Sequence, residues 1–398
     1  MDAPMPPPPL RVPPHLPDEV VEDILVRVPA DDPARLLRSA LTCKRWARLM
    51  ANRGFRRRYR ERYRGAPPVL GVLANLTLTG GVARFIPNPT CGFRPARDDL
   101  RGYRAHDARH GRVLLNRLPG TPAPHRDQES ALAVWDPTTD QLRQLPLLKR
   151  PHQVLNWNAA VLCGADAGAA CDHLDCHAGP FRVVFVGIDS ERIFASVYSS
   201  EFGAWSDATS ADHPGDDLDI ASPGALAGNA IHFVFLRGTR VLKYDLGTRK
   251  MYHLRLPRML AYGSRIVLMA MEDGKLGFAE LWLQYTVLRL WSLELSPNGL
   301  DGAWVLGRSI ELNKHLPADA FLPGSMPCVV AFADGAGIIF LKMIDGLYGL
   351  DLKSARATKI SMASGFYDIV PFVSFYIPVL RAALVTSGEE SSVGSSSP

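Results

Sequence analysis

No apolar run in this chain approaches the ~18 residues that a membrane-crossing helix requires, and no hydrophobic h-region follows Met1. Cysteine is sparse, six in 398 residues, which argues against a disulfide-stapled secreted scaffold. These absences point to a soluble protein of a reducing compartment, cytoplasm or nucleus, with no membrane partner. Catalytic signatures are missing too. There is no P-loop, no G-x-S-x-G elbow, no H-E-x-x-H and no dinucleotide fingerprint. The acid clusters Asp98-Asp99 and Asp216-Asp217-Leu218-Asp219 sit among Gly and Pro, where carboxylates are usually solvated turn residues. His106, His110, His125 and His152 have no Ser or Cys nucleophile in a recognisable context. Neither an enzyme activity nor a cofactor is expected.

Apolar residues make up 47% of the chain and charged ones 21%, enough to bury a large core. Helix-type periodicity is confined to the first ~65 residues. Val20, Val21, Ile24, Leu25 and Val28 recur at helical spacing, with Pro17 at the first turn and Asp18 and Glu19 at the positive end of the dipole. Pro29 ends this helix. Asp32 is placed to cap a second helix, with Pro33 at its first position and Leu36, Leu37, Ala40 and Leu41 as its stripe. Thr42 is placed to cap a third, whose apolar face holds Trp46, Leu49 and Met50. Three short helices in 35 residues bury too little to stand alone, which predicts a module that docks on a partner.

In order and spacing, Leu16-Pro17, Ile24-Leu25, Val28-Pro29, Leu36-Leu37 and Cys43-Lys44-Arg45-Trp46 resemble the F-box. The resemblance implies binding to the Skp adaptor, and through it to the cullin, of an SCF-type ubiquitin ligase. Carried over by position, Leu16, Pro17, Ile24, Leu25, Val28, Leu36, Cys43, Lys44 and Trp46 are the expected adaptor-binding residues. Leu37 and Leu41 are expected to hold the helices together. Thr42 departs from the family, which often has Val there.

Seven arginines crowd between Arg53 and Arg64 in a chain of net charge +5, with Phe55, Tyr59 and Tyr63 on one helical face. The arginines could contact phosphates and the rings could stack on bases. Three aromatics sharing one face suit packing against the following domain better, so nucleic acid is the disfavoured reading.

From residue 69 the chain reads as short strands between Gly, Asp and Pro turns, an antiparallel all-β pattern. Ala133–Thr139, Leu242–Thr248 and Tyr348–Ser354 share one shape: an apolar strand end, an aspartate at the turn, then a polar strand. Leu288–Leu293 is a looser fourth copy. Such units of 40–60 residues suggest propeller blades, and five or so consecutive sheet units fit a ring better than a sandwich, with the number of blades left open. The segments His110–Leu115, Val134–Thr139 and Tyr198–Ser206 resemble the kelch-like propeller region of plant, especially grass-type, F-box proteins. The regular kelch double glycine is missing. That resemblance implies recruitment of a target protein for ubiquitination, without saying which.

The expected organisation is multidomain. A Pro-rich disordered start (1–13) leads to a small all-α, three-helix F-box (14–52) and a basic linking helix (53–68). An all-β, propeller-like recognition domain (69–386) and a disordered tail (387–398) follow. Pro87–Arg104, Pro119–Ser130, Gly164–Pro180 and Thr209–Asp219 are the candidate target-binding loops. Cys171, His173, Cys176 and His177 carry zinc-type donors, but C-x4-C interdigitated with H-x3-H on one loop departs from the usual separated pairs. A polar connecting loop is expected there, and no metal. The competing functions are an interaction scaffold with a degenerate F-box and a nucleic-acid-associated protein using Arg53–Arg64.

Overall fold

Four helices open the structure, a computed structural model: α1 (Asp18–Leu25), α2 (Pro33–Thr42), α3 (Lys44–Ala51) and α4 (Arg53–Arg62). It describes residues 16–375 except 31–32, 64–66, 77–81, 92, 119–131, 149–153, 165–170, 172, 174–175, 177–178, 258–264, 283–285, 296–301, 323–326 and 363–365. The terminal segments 1–13 and 387–398, and Asp32, lie outside the described residues. Val21, Leu25, Ala30, Leu36, Ala40, Met50, Phe55 and Tyr59 form the helical core.

Three details differ from the helical expectation. Pro17 precedes α1 as its cap residue instead of opening it. Thr42 ends α2, its hydroxyl donating to Arg38 O at 3.1 Å, and Cys43 stands at the start of α3 without a side-chain cap. Leu41 is 68% exposed and holds no helices together, because Ala40 occupies the inward position of that turn. The aromatic stripe of α4 also packs differently. Phe55 and Tyr59 enter the same core as α1–α3, and Phe375 is the residue of the following domain that joins them. Part of the arginine run is paired within the module. Arg58 bridges to Glu22 and Asp23 of α1, and Arg57 to Glu61 one turn on.

Among the described residues twenty-five strands then build six antiparallel sheets. Blade 1 takes β1 (Val69–Leu76), β2 (Val82–Pro87) and β3 (Asp99–Arg101), plus the last strand β25 (Phe366–Val373) at its inner edge. Blade 2 is β4 (Tyr103–Arg109), β5 (Arg112–Arg117), β6 (Leu132–Asp136) and β7 (Gln141–Gln144). Blade 3 is β8 (Asn156–Cys163), β9 (Phe181–Ile188) and β10 (Arg192–Ser199), with β11 (Ala204–Trp205) and β12 (Thr209–Asp212) both paired to β10. Blade 4 runs β13 (Ala225–Ala227), β14 (Ala230–Val234), β15 (Arg240–Asp245), β16 (Met251–Arg255). Blade 5 runs β17 (Ile266–Ala270), β18 (Leu276–Trp282), β19 (Val287–Leu295), β20 (Gly302–Glu311), and blade 6 β21 (Cys328–Ala333), β22 (Ile338–Met343), β23 (Gly346–Asp351), β24 (Ala357–Ser361). The fold is a six-bladed β-propeller behind a small helical module.

Antiparallel pairing between β25 and β1 closes the ring, from Val69↔Val373 to Leu76↔Phe366. The C-terminal strand thus completes the first blade. The core lies between blades, in apolar clusters each built from neighbouring sheets, such as Val267, Leu290, Val329 and Leu350 between blades 5 and 6. The repeated hairpin read in the sequence is the third strand and outer turn of blades 2, 4 and 6. Its aspartate closes the turn each time. Asp136 Oδ1 accepts Thr138 N–H at 2.8 Å, Asp245 Oδ1 accepts Thr248 N–H at 2.8 Å, and Asp351 Oδ1 accepts Lys353 and Ser354 N–H at 2.8 Å. Among the described residues no helix is long and apolar enough to cross a membrane.

Candidate partner-binding surface and channel mouth

The helical module closes its own core yet leaves an apolar edge outside. Leu16, Val20 and Ile24 are 48%, 42% and 52% exposed, and Pro17, Cys43 and Lys44 are exposed as well. Leu25 and Leu36 are buried in the core, with Val28 and Trp46 packed half-buried against it. The nine sequence-selected residues therefore divide into five on the surface, two inside and two between. Spacing alone did not separate Ile24 from Leu25, which are adjacent in sequence but about 100° apart around α1, one exposed and one buried. Arg45 anchors the edge: its guanidinium pairs with Asp18 and donates to Leu16 O at 2.6 Å.

Strands β4, β8, β13, β17, β21 and β25 are the inner end strands of the six sheets. Where they end, a cavity of about 290 Å³ opens, lined among others by Arg60 of α4, Asp107, Arg109, His173, Cys176 and Asp334. Arg109 pairs with Asp107 and reaches Gly224 O, so the guanidinium joins β4 to the blade 4 segment. Burial pushes the Asp107 carboxyl up to about 6 against the pull of Arg109 and of the Val161 N–H, which it accepts at 2.8 Å. Burial likewise raises Asp334. His110 and Gly111 join β4 to β5 with φ of 53° and 74°, the left-handed pair that a two-residue hairpin turn needs. Burial and the adjacent His173 hold His110 down at about 3; the two rings stack with centroids 4.3 Å apart.

Beside that turn, donor atoms of Cys163, Cys171, His173 and Cys176 all lie within 4.8 Å of one another. Cys163 ends β8, and the other three come from the connection to β9. The Cys163 and Cys171 sulfurs are 3.7 Å apart, and Cys176 Sγ is 3.8 Å from His173 Nδ1. Hydrogen bonding to Cys163 and burial push the Cys176 thiol up. The polar loop expected here is thus a convergent donor cluster. His177 lies outside the described residues, and the fourth donor is Cys163. Sequence reading missed it because a strand end and a loop eight residues on meet only through the β8–β9 pairing, Cys163↔Phe181. Its signal was the proximity of a third cysteine to the C-x4-C pair.

Residues 104–380 match the family described as F-box protein AT5G49610-like, beta-propeller, and residues 13–61 match F-box-like. The chain belongs to the F-box β-propeller family. The F-box match takes in most of α4, which shares the helical core. A search of curated proteins finds no match. Among solved structures, a functionally unknown protein from Desulfotomaculum acetoxidans aligns with a TM-score of 0.39 at 8% identity, over 76% of this chain and 89% of that one. Apo AztD from Citrobacter koseri aligns at 0.36 and 13% identity, over 75% and 96%.

Strand polarity divides the loops of this F-box propeller between two faces. The inner strands end on the face that carries α4, since Val69, the first propeller residue in a strand, pairs with Val373 at the end of β25. Connections leaving inner strands, including 164–180, open there. So does the link from β2 to β3, and Pro87–Arg104 is less of a loop than expected, because it contains β3 and the start of β4. Thr209–Asp212 is strand β12, and the irregular part that follows it leads to the opposite face, where Arg104 near the start of β4 contacts Ile220 O. Pro119–Ser130 lie outside the described residues; the flanking Arg117 pairs with Tyr103, at the start of β4, on that opposite face.

Proposed function

We propose that this F-box protein is the substrate-recognition subunit of an SCF-type cullin–RING ubiquitin ligase in the cytoplasm or nucleus. The observation that carries the reading is the apolar edge of Leu16, Val20 and Ile24, left outside the helical core. Apolar side chains grouped on a small helical surface gain free energy by leaving water on a partner. The Skp adaptor is that partner, and the cullin joins through it. The plant, kelch-like character inferred from the blade segments belongs to the same proposal.

The propeller recruits the target. With the F-box joined to the face where the inner strands end, the segments 213–222 and 312–322 on the far side are free to receive it, and binding there raises the target's local concentration near the conjugating enzyme. The chain itself performs no chemistry; ubiquitin transfer belongs to the enzymes it positions. The arginine run offers less to nucleic acid than its sequence suggests, because Arg57 and Arg58 are paired with carboxylates of the module.

Co-purification with the Skp adaptor tests the reading. The full chain brings the adaptor down, and a Leu16→Asp, Ile24→Asp double variant, altered only at exposed positions, loses it while keeping its helical circular dichroism. Absence of the adaptor from the wild-type preparation refutes the ligase assignment and leaves the scaffold reading.

A further inference from the structure

We propose that Cys163, Cys171, His173 and Cys176 form a Cys3His zinc site that fixes the β8–β9 connection at the mouth of the propeller channel. Zinc held tetrahedrally, with bonds of about 2.3 Å to sulfur and about 2.0 Å to nitrogen, places its donors roughly 3.5–3.8 Å apart. Two of the separations, 3.7 Å between the Cys163 and Cys171 sulfurs and 3.8 Å from the Cys176 sulfur to His173 Nδ1, lie at that spacing, and all four donors lie within 4.8 Å of one another. Three thiolates and an imidazole are soft and borderline donors, which select zinc over magnesium or calcium. With no donor from a carboxylate or water needed, the set closes the coordination shell, as structural sites do.

The surroundings suit the charge and the geometry. Three thiolates around Zn2+ leave a net charge of −1, and the Arg112 guanidinium of β5 lies against the same loop, donating to Cys176 O at 2.6 Å and Gly179 O at 2.5 Å. Those two carbonyl contacts hold the backbone that presents Cys176. Gly179 N–H closes onto Cys176 O at 3.0 Å, and Gly164 N–H onto Pro180 O at 2.9 Å, so the loop is pinched at its base. His173 sits in the left-handed region, φ 54°, and its ring stacks on His110. A strained backbone at a ligand-bearing residue is a common cost of aiming a donor.

The connection between β8 and β9 spans 164–180 and includes the sequence Gly164-Ala165-Asp166-Ala167-Gly168-Ala169-Ala170, which offers little apolar surface. A metal ties Cys171, His173 and Cys176 of this connection to the end of strand β8 through Cys163. Because His173 and Cys176 also line the cavity at the mouth, the ion sets the shape of that opening.

Metal content of the full chain, purified with thiols reduced and dialysed against a moderate chelator, tests the proposal. About one zinc per chain is expected, as for a closed structural site, and Co2+ replacement gives the strong d–d bands and thiolate charge-transfer bands of a tetrahedral sulfur-ligated ion. Cys163→Ser and His173→Ala lose the metal under the same dialysis, and His177→Ala keeps it. Arg112→Gln retains a site weakened by roughly 10–100-fold, the usual effect of removing a supporting residue. Wild-type protein without zinc overturns the proposal. So does zinc kept by Cys163→Ser, zinc lost by His177→Ala, or a Cys163–Cys171 disulfide found by mass spectrometry in the reduced preparation. If the cysteine variants fail to fold, the cobalt spectrum of the wild type decides, and weak octahedral absorption refutes the site.

Discussion

Arg104 on β4 and Asp368 on β25 form an ion pair across 264 residues of sequence, at the seam where the last strand enters the ring. Asn75 of β1 completes the seam. Its amide donates to Asp368 Oδ1 at 2.6 Å and to Ala105 O at 2.8 Å, and its Oδ1 accepts Ala105 N–H at 2.9 Å. Blades 1 and 2 are therefore joined by a buried polar network as well as by apolar packing.

The seam predicts a large cost for one-sided truncation. Asp368→Ala leaves a mostly buried guanidinium without its counter-charge, which costs about 3–5 kcal/mol. Replacing both partners, Arg104→Leu with Asp368→Leu, recovers most of that loss, because two desolvated charges disappear together. Urea unfolding followed by tryptophan emission measures this, since six of the seven tryptophans belong to the propeller region. A single-variant loss below about 1 kcal/mol means the pair behaves as a surface bridge.

A second prediction concerns acid. His106 is buried against Trp157, ring centroids 4.5 Å apart, and neither ring nitrogen has a hydrogen-bond partner among the described residues. Burial, with Arg104 nearby, lowers it from 6.5 to about 3. A base with a depressed folded pKa contributes stability that is whole above pH 6.5 and lost as pH falls toward 3. Within that window the loss is about 1.4 kcal/mol per pH unit. Asp107, raised to about 6 by burial, acts oppositely and partly masks the slope in the wild type. The difference between wild type and His106→Phe removes that background. It should move in favour of the variant by that amount per unit below pH 6 in denaturant titrations, and a pH-independent difference would sink the assignment.

Much of this architecture was legible in the sequence, and the gaps have physical causes. The helical module and the third strands of the blades showed because a buried stripe and an Asx turn leave a periodic mark in single residues. Strand β4, Tyr-Arg-Ala-His-Asp-Ala-Arg, did not, because as an inner strand its middle is buried on both faces and charged residues flank it, so no clean alternation marks it. β25 was hidden for a different reason: its pairing with β1 is a relation between the two ends of the domain, and Pro371 within it argues locally against a strand. The donor cluster failed similarly, since Cys163 joins the loop cysteines only after β8 and β9 pair.

The division of α1 gives a third test. Leu25 is almost wholly buried and Ile24 half exposed. Leu25→Ala should cost the helical module about 2–5 kcal/mol, as for other buried leucines. Ile24→Ala should change stability by no more than about 0.5 kcal/mol while weakening capture of the Skp adaptor. Thermal loss of helical dichroism and adaptor binding, measured on the same samples, separate the two effects. Equal destabilisation by both variants would show that Ile24 also supports the core.

The three turn aspartates supply the last test, because they ask whether the repeat is one of energy as well as shape. Asp136, Asp245 and Asp351 each accept backbone N–H groups two or three residues on, in blades 2, 4 and 6. Replacing any one by Ala frees those donors to water and should cost about 1 kcal/mol, the net worth of such a bond. Alternate blades share no partner at these turns, so the triple variant should lose close to the sum of the single losses. Urea midpoints at constant m-value report this directly. A triple loss well above the sum would mean that each turn feels the others through the closed ring, and that the blades unfold as one unit whose weakest turn decides its stability.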